Sequence, residues 1–339
     1  MTTNETRTVA VTGATGFVGR HLVRELLARG HRVSALARSA KKAAEVLPRD
    51  AMHDGRLRVV AGDVLDEPSP DELMAGADSC CHLIGILREG PGRQTFERMH
   101  VRATERMVGA CERRSAALGS PVRYVQMSAL GVGGESPIPY RATKATAERA
   151  VRDSSLAWTI MRPGVIHGPD GEFMQMIKSW AQGRAMPFVV IPAFTRPKPE
   201  GKHAGPIPLE WETAGVMPVH VDDVAWAFAE ALARKDAIGE VFHLVGSERL
   251  TMRELLERVR DRVPLGKRGM PIVGIPGPLA AMKARSWRWF GMERVMPFDE
   301  GMARMAIEDS VAPLDKVSAQ LGFSPRPFTP ELEAYAATM

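Results

Sequence analysis

The stretch TVAVTGATGFVG, residues 8–19, constrains the fold of this chain more than any other. TVAVT is a short continuous apolar run, the pattern of a strand covered on both faces of a parallel sheet. It feeds directly into GATGFVG. Apolar residues then recur at Val18, Leu22, Val23, Leu26 and Leu27, a helical stripe that closes at Gly30. Strand, glycine turn and helix in that order are the context in which a glycine motif carries chemistry. Gly13 permits the tight turn, Gly16 lets the backbone approach a diphosphate, and Gly19 allows helix and strand to pack closely. The helix N-terminus adds free N–H groups and a partial positive charge. The spacing is GxxGxxG rather than GxGxxG.

The rhythm continues. HRVSALAR (31–38), LRVVAGDV (57–64), ADSCCHLIG (77–85), PVRYVQMSALG (121–131) and EVFHLVG (240–246) read as further strands. Strand and helix alternating at this spacing predict an α/β fold, a Rossmann-type doubly wound parallel sheet. Residues 1–169 with 217–246 are expected to form the nucleotide-binding domain. Residues 170–216 with 247–339 are expected to form a smaller, mostly helical substrate lobe.

Where NAD-binding folds place an acidic residue about 20 positions past the glycines, for the ribose 2′-OH, this chain has Arg38. Ser39, Lys41 and Lys42 follow. A carboxylate repels a 2′-phosphate and a guanidinium clamps one, so NADP(H) is expected over NAD(H). Asp63, beside Val64 at the third strand's end, is placed to reach the adenine amino group. Gly85 ends the fourth strand and lets its backbone approach the cofactor.

Ser128 ends the fifth strand, and twelve residues later comes YRATKATAERA (140–150). Tyr140 and Lys144, spaced i, i+4, lie on one helix face. Lys144 also has Glu148 four residues on, which reads equally as an ordinary solvated helix pair. An isolated phenol titrates near about 10, so bringing it to neutrality requires roughly 4 kcal/mol of preference for the phenolate. An adjacent ammonium and an oxidised nicotinamide together can supply that preference. Ser128 would bond the substrate oxygen while Tyr140 passes its proton.

Composition narrows the partners. Lys and Arg number 45 against 40 Asp and Glu, and this excess is spread along the chain. Nucleic acid calls for a concentrated basic patch and is not expected. Cys80 and Cys81, adjacent in an apolar run, suit reduced buried thiols in a cytosolic protein. HExxH and paired CxxC spacings are absent, so no metal site is expected. The leading residues MTTNETR are polar, and no run approaches the ~20 apolar residues of a membrane span. A cytoplasmic protein, soluble or peripheral at the membrane, is expected.

GATGFVG, the Asp63 strand end, MSALG, YRATK, MRPGVIHGP (161–169) and MPVHVDDVA (217–225) occur together and in order. In this the chain resembles the short-chain dehydrogenase/reductase superfamily, in its extended or atypical branch, over about residues 7–246. Within it, the chain is similar to the NAD-dependent epimerase/dehydratase-like proteins that include the nucleotide-binding accessory subunit of respiratory complex I. The resemblance implies catalytic positions at Ser128, Tyr140 and Lys144, with Lys144 also on the nicotinamide ribose. It implies that Thr15, Gly16, Phe17 and Val18 cover the diphosphate and that Leu83, Ile84 and Gly85 line the cofactor. It implies that Pro163, Val165 and Ile166 flank the nicotinamide. Two departures stand out. His100 replaces an Asn that often relays protons, and His167 stands where sugar-nucleotide enzymes often have Tyr. Each imidazole reads equally well as a structural side chain.

In the second lobe a helix is expected over 171–183, then an irregular loop or substrate lid through IPAFTRPKPEGKHAGPIPLEWE. Asp222 or Asp223 is expected to cap the helix that follows, and Thr251 with Glu254 forms a capping-box pattern. The segment carrying Trp287, Trp289 and Phe290 among basic residues reads as an amphipathic helix closing the lobe or touching a membrane surface. The expected activity is an NADP-dependent oxidoreductase or an epimerase/dehydratase-type enzyme on a small-molecule carbonyl or hydroxyl substrate, as monomer or dimer. The alternative is a non-catalytic NADPH-binding accessory subunit with a respiratory-complex contact, or a redox sensor.

Overall fold

In the computed structural model, which describes residues 6–186, 188–204, 207–280, 282 and 300–339, the apolar runs form the strands their patterns predict. These are Thr8–Thr12 (β1), Arg32–Ala37 (β2), Leu57–Ala61 (β3), Ser79–His82 (β4), Arg123–Met127 (β5), Ala157–Pro163 (β6) and a last strand, Glu240–Leu244. All pair in parallel. Their order is Glu240–Leu244, β6, β5, β4, β1, β2, β3. The order of winding reverses between β1 and β4, the switch point beside which doubly wound sheets bind ligands at their C-terminal ends.

Helices Phe17–Ala28 (α1), Ala40–Val46 (α2), Arg49–His53 (α3), Ser69–Met74 (α4), Ala103–Leu118 (α5), Pro139–Arg152 (α6) and Val221–Ala233 flank this sheet. Asp222 and Asp223 lie within the first turn of Val221–Ala233, which begins before both, so neither is its N-cap. Met74, Cys80, Met107, Cys111, Tyr124 and Ile160 form a buried core on the sheet. The three cysteines are free and buried.

The chain divides into two compact units. The first comprises Met1–Pro163, Val221–Leu244 and Pro313–Ser324, and the second Gly164–His220, Val245–Ala312 and Pro325–Met339. Residues 313–324, near the C-terminus, thus belong with the nucleotide-fold unit. The second unit has its own core of Met174, Ile177, Trp180, Ile191, Leu255, Val259, Phe328 and Leu332. Its helices include Glu172–Ala181 and Met252–Arg262, the latter entered through the Thr251/Glu254 capping box.

The expected irregular loop is corrected here. Ile191–Pro197 is the middle strand of a three-stranded sheet, antiparallel to Trp211–Glu212 and parallel to Ile272–Pro276. Arg196 on it bonds Glu212 (3.0 Å) and Asp309 (2.9 Å), ionic contacts that order a Pro-rich stretch without clean periodicity. The Trp287/Trp289 segment lies outside the described residues.

Candidate functional site

The glycine turn is built for close approach. Gly13 takes φ +68°, and Gly16 N–H donates to the Gly13 carbonyl at 2.9 Å. A Cβ on Gly19 would fall 2.1 Å from the Gly13 oxygen and 2.8 Å from the Ala14 Cα, so only glycine lets α1 sit this near β1. At its N-cap Gly16, α1 has no capping side chain and no acidic residue in its first turn. Its leading N–H groups and partial positive charge are therefore available to an anion, and a dinucleotide diphosphate fits this turn. Thr15, Phe17 and Val18 stand half-buried around it.

Past the end of β2, Arg38 is exposed, with Lys41 and Lys42 exposed beside it. Ser39 caps α2, its hydroxyl accepting from Lys42 N–H at 3.2 Å. One Asp63 oxygen accepts from Leu65 N–H at 2.9 Å, which shapes the turn and leaves the other oxygen free to face a base. Val64 is different: its side chain is packed in the core, so only its backbone can line a cofactor.

Beyond β4, Leu83 and Ile84 are half-buried and Gly85 is exposed. A Cβ on Gly85 would lie 2.9 Å from Lys144 Nζ and 3.6 Å from His100 Nε2, so this glycine sits directly on the lysine. Tyr140, Lys144, Glu148 and Val151 form the buried stripe of α6. Lys144 Nζ donates to the Met127 carbonyl at 3.0 Å instead of pairing with Glu148. Burial pushes its ammonium down to about 8, against a smaller upward pull from Glu148. Burial also pushes the Tyr140 phenol up to about 12. The protein alone thus moves Tyr140 away from neutrality, opposite to the depression that a phenolate requires.

Glu148 proves to be the hub of a buried network. Ser128 Oγ donates to its Oε1 at 2.6 Å, Arg162 donates to both oxygens at 2.8 and 2.6 Å, and Arg152 adds a bond of 3.2 Å. Burial alone would raise this carboxyl, but the bonds from Arg162 and Ser128 outweigh that and hold it below its usual range. Ser128 is thereby fixed with its single proton on Glu148, and its remaining capacity is as an acceptor. Sequence reasoning took Glu148 for a helix-surface partner of Lys144. The missed signal was Arg162, a guanidinium inside a buried strand, which demands a carboxylate. The parallel register Met127↔Met161 sets Ser128 beside it.

His100 lies in a π-helical turn, Glu97–Arg102. Both ring nitrogens are engaged: Nδ1 with Thr143 Oγ1 at 2.9 Å, and Nε2 with the backbone N and O of Ile86 at 3.1 and 3.0 Å. Burial, reinforced by the Lys144 charge, lowers it to about 3, so the ring is neutral. Its face meets Tyr140 edge-on at 5.3 Å. The imidazole therefore ties the segment after β4 to α6.

Pro163 is buried at the end of β6, where its carbonyl accepts from Leu130 N–H at 2.8 Å. Val165 and Ile166 belong to the second unit, in which Ile166 pairs with Val219. His167, in the same unit, is fully buried, with Nδ1 3.0 Å from the Tyr335 hydroxyl.

A family profile described as NAD(P)H-binding matches residues 13–179. A ceramide reductase of Caulobacter vibrioides is 30% identical over 246 residues, covering 71% of this chain and 65% of the relative. NADH dehydrogenase (ubiquinone) 1 alpha subcomplex subunit 9, mitochondrial, of Arabidopsis thaliana is 31% identical over 280 residues, covering 81% of this chain and 61% of the relative. The chain thus spans less than two thirds of the length of either. A UDP-glucuronic acid 4-epimerase from Bacillus cereus, solved with UDP-glucuronic acid and NAD, superposes with a TM-score of 0.66 at 20% identity. That match covers 96% of this chain and 97% of the other and is a likeness of fold.

Proposed function

Because the chain belongs to the extended branch of the short-chain dehydrogenase/reductase superfamily, we propose that it is an NADP(H)-dependent oxidoreductase or epimerase/dehydratase-type enzyme acting on a carbonyl or hydroxyl group. The observation that carries this reading is the inward stripe of α6, with Tyr140 at a neutral, proton-bearing phenol and Lys144 Nζ directly under Gly85. Bound NADPH would supply the hydride. Lys144 would hold the nicotinamide ribose, and Gly13 to Val18 the diphosphate. Leu83, Ile84, Gly85 and Pro163 would line the ring and its ribose. Asp63 and the Val64 backbone would meet the adenine, and Arg38 with Ser39 the 2′-phosphate.

Within the site Tyr140 is the proton donor. Ser128, with its proton held by Glu148, would accept a hydrogen bond from the hydroxyl that forms once hydride and the Tyr140 proton have reached the carbonyl. Two relatives favour different substrates for this machinery: the ceramide reductase favours a lipid carbonyl, and the epimerase fold a sugar nucleotide.

The test is NADPH titration followed by turnover on a panel of aldehydes, ketones, sugar nucleotides and ceramide-class lipids. Tyr140→Phe is expected to lower turnover by about 10²-fold or more with NADPH binding intact. Arg38→Ala is expected to weaken NADPH about tenfold and leave NADH unchanged. Full activity in Tyr140→Phe would sink the catalytic assignment. The second reading, a non-catalytic accessory subunit, draws on the complex I relative. It predicts tight NADPH that no substrate oxidises, and co-purification with a larger membrane assembly.

A further inference from the structure

Two turns of the second unit carry an exposed feature that folding alone does not account for. One, with described residues 183–186 and 188–189, lies between helix Glu172–Ala181 and strand Ile191–Pro197; the other, residues 263–268, joins helix Met252–Arg262 to strand Ile272–Pro276. They lie side by side. Lys267 N–H donates to the Ala181 carbonyl at 2.8 Å, Gln182 Nε2 donates to the Pro264 carbonyl at 2.7 Å, and a Cβ on Gly183 would meet both Lys267 Nζ and the Phe188 carbonyl at 2.9 Å. Both are built turns: Phe188 N–H donates to Ala185 O, Gly266 N–H to Val263 O, and Trp180 Nε1 to Met186 O.

Their tips are apolar and open to solvent, with Leu265 78% exposed, Val189 71%, Phe188 50% and Met186 38%. Phe188 (φ +64°) and Leu265 (φ +59°) are the two non-glycine residues with left-handed backbone among the described residues. A Cβ disfavours that conformation, and glycine would relieve it at no steric cost. An exposed, strained leucine or phenylalanine adds little to folding, so the side chain itself is what each position supplies.

Around these tips the charge has one sign. Arg184, Lys267 and Arg268 are exposed and Lys178 is half-buried. None forms an ion pair with a described residue, although most other arginines of the chain do. No Asp or Glu occurs from 173 to 199 or from 262 to 292. Four apolar tips expose roughly a few hundred Å², short of the ~800 Å² per partner of a stable protein interface. That area suffices at a lipid surface, where apolar tips enter the interface and basic residues meet anionic headgroups.

We propose that these paired turns dock the second unit on an anionic phospholipid surface, Met186, Phe188, Val189 and Leu265 entering the interface and Arg184, Lys267 and Arg268 contacting the phosphates. No described helix is long and apolar enough to cross a membrane, so the contact is peripheral.

Flotation of the full chain with vesicles of phosphatidylcholine, with and without phosphatidylserine, tests this. Binding is expected to the phosphatidylserine vesicles alone and to weaken with salt. Phe188→Gly with Leu265→Gly is expected to cut it by at least about tenfold while Tm holds or rises, because glycine suits both backbones. Arg184→Glu with Lys267→Glu is expected to abolish it at low salt. Failure of the wild-type chain to float at low salt overturns the proposal. So does wild-type flotation by the glycine variant, or capture by an acidic protein with no vesicle binding.

Discussion

Glu148 governs two polar side chains, Lys144 one turn before it on the buried face of α6 and Ser128 just past the end of β5. It holds the Ser128 proton directly and raises Lys144 through space. Lys144 titrates near about 8 in the folded chain, against 10.5 ordinarily. Between those values the unfolded chain keeps a proton that the folded chain has shed. The cofactor-free protein should therefore gain stability as pH rises from about 8 to about 10.5, on the order of 3 kcal/mol in full. Lys144→Met should flatten that rise. Glu148→Gln should start it at lower pH and destabilise by about 1.5–3 kcal/mol through weakened bonds to Arg162. Urea unfolding at several pH values reads both effects, and an unchanged profile in Glu148→Gln would contradict the coupling.

The elements at the cofactor turn differ in how much they can yield. Around Gly19 the crowding is backbone on backbone, since an added Cβ meets the Gly13 oxygen and the Ala14 Cα. Around Gly85 it is the far end of a flexible lysine. Gly19→Ala should therefore force α1 away from β1, costing about 1–3 kcal/mol or more and disordering the phosphate turn. Gly85→Ala should leave Tm within a few degrees and displace Lys144, so that NAD(P)H binding falls with the fold intact if Lys144 holds the cofactor as proposed. Melting curves and NADPH titration on both variants separate the two. A Gly85→Ala protein that melts as early as Gly19→Ala would show the crowding there to be rigid.

Across the whole molecule, buried neutral imidazoles set the response to acid. His82, His100 and His167 are each lowered to about 3, chiefly by burial. As pH falls from about 6.5 towards 3 the unfolded chain takes up protons that these rings refuse. Stability is lost through that window, at about 1.4 kcal/mol per pH unit for each ring. His100→Asn and His167→Gln should each remove about one proton from the uptake measured by the pH dependence of unfolding. A slope identical to wild type in both would mean that the rings already charge in the fold.

Most of the sheet was legible because its signals are local: an apolar run, a glycine turn and a 3.6-residue stripe all fall within a few positions. The same holds for the glycine turn between β1 and α1 and for the shared face of Tyr140 and Lys144. The burial of the Val64 side chain was not legible, because strand periodicity does not reveal which end residues turn into the core. Residues 191–212 read as a loop because the strand at their start is held through Arg196 by Glu212 and Asp309, partners up to 113 positions apart. The second unit's strained turns carry no sequence signal, since neither Leu265 nor Phe188 is a residue type that marks left-handed backbone. By itself, then, the sequence determined the strands, the glycine turn between β1 and α1 and the inward Tyr–Lys stripe. Only the tertiary structure decided where the Ser128 proton goes, what His100 ties together and which way Glu148 faces. Each of those depends on side chains that fold together from distant positions, where burial and pairing, not local pattern, set the energy.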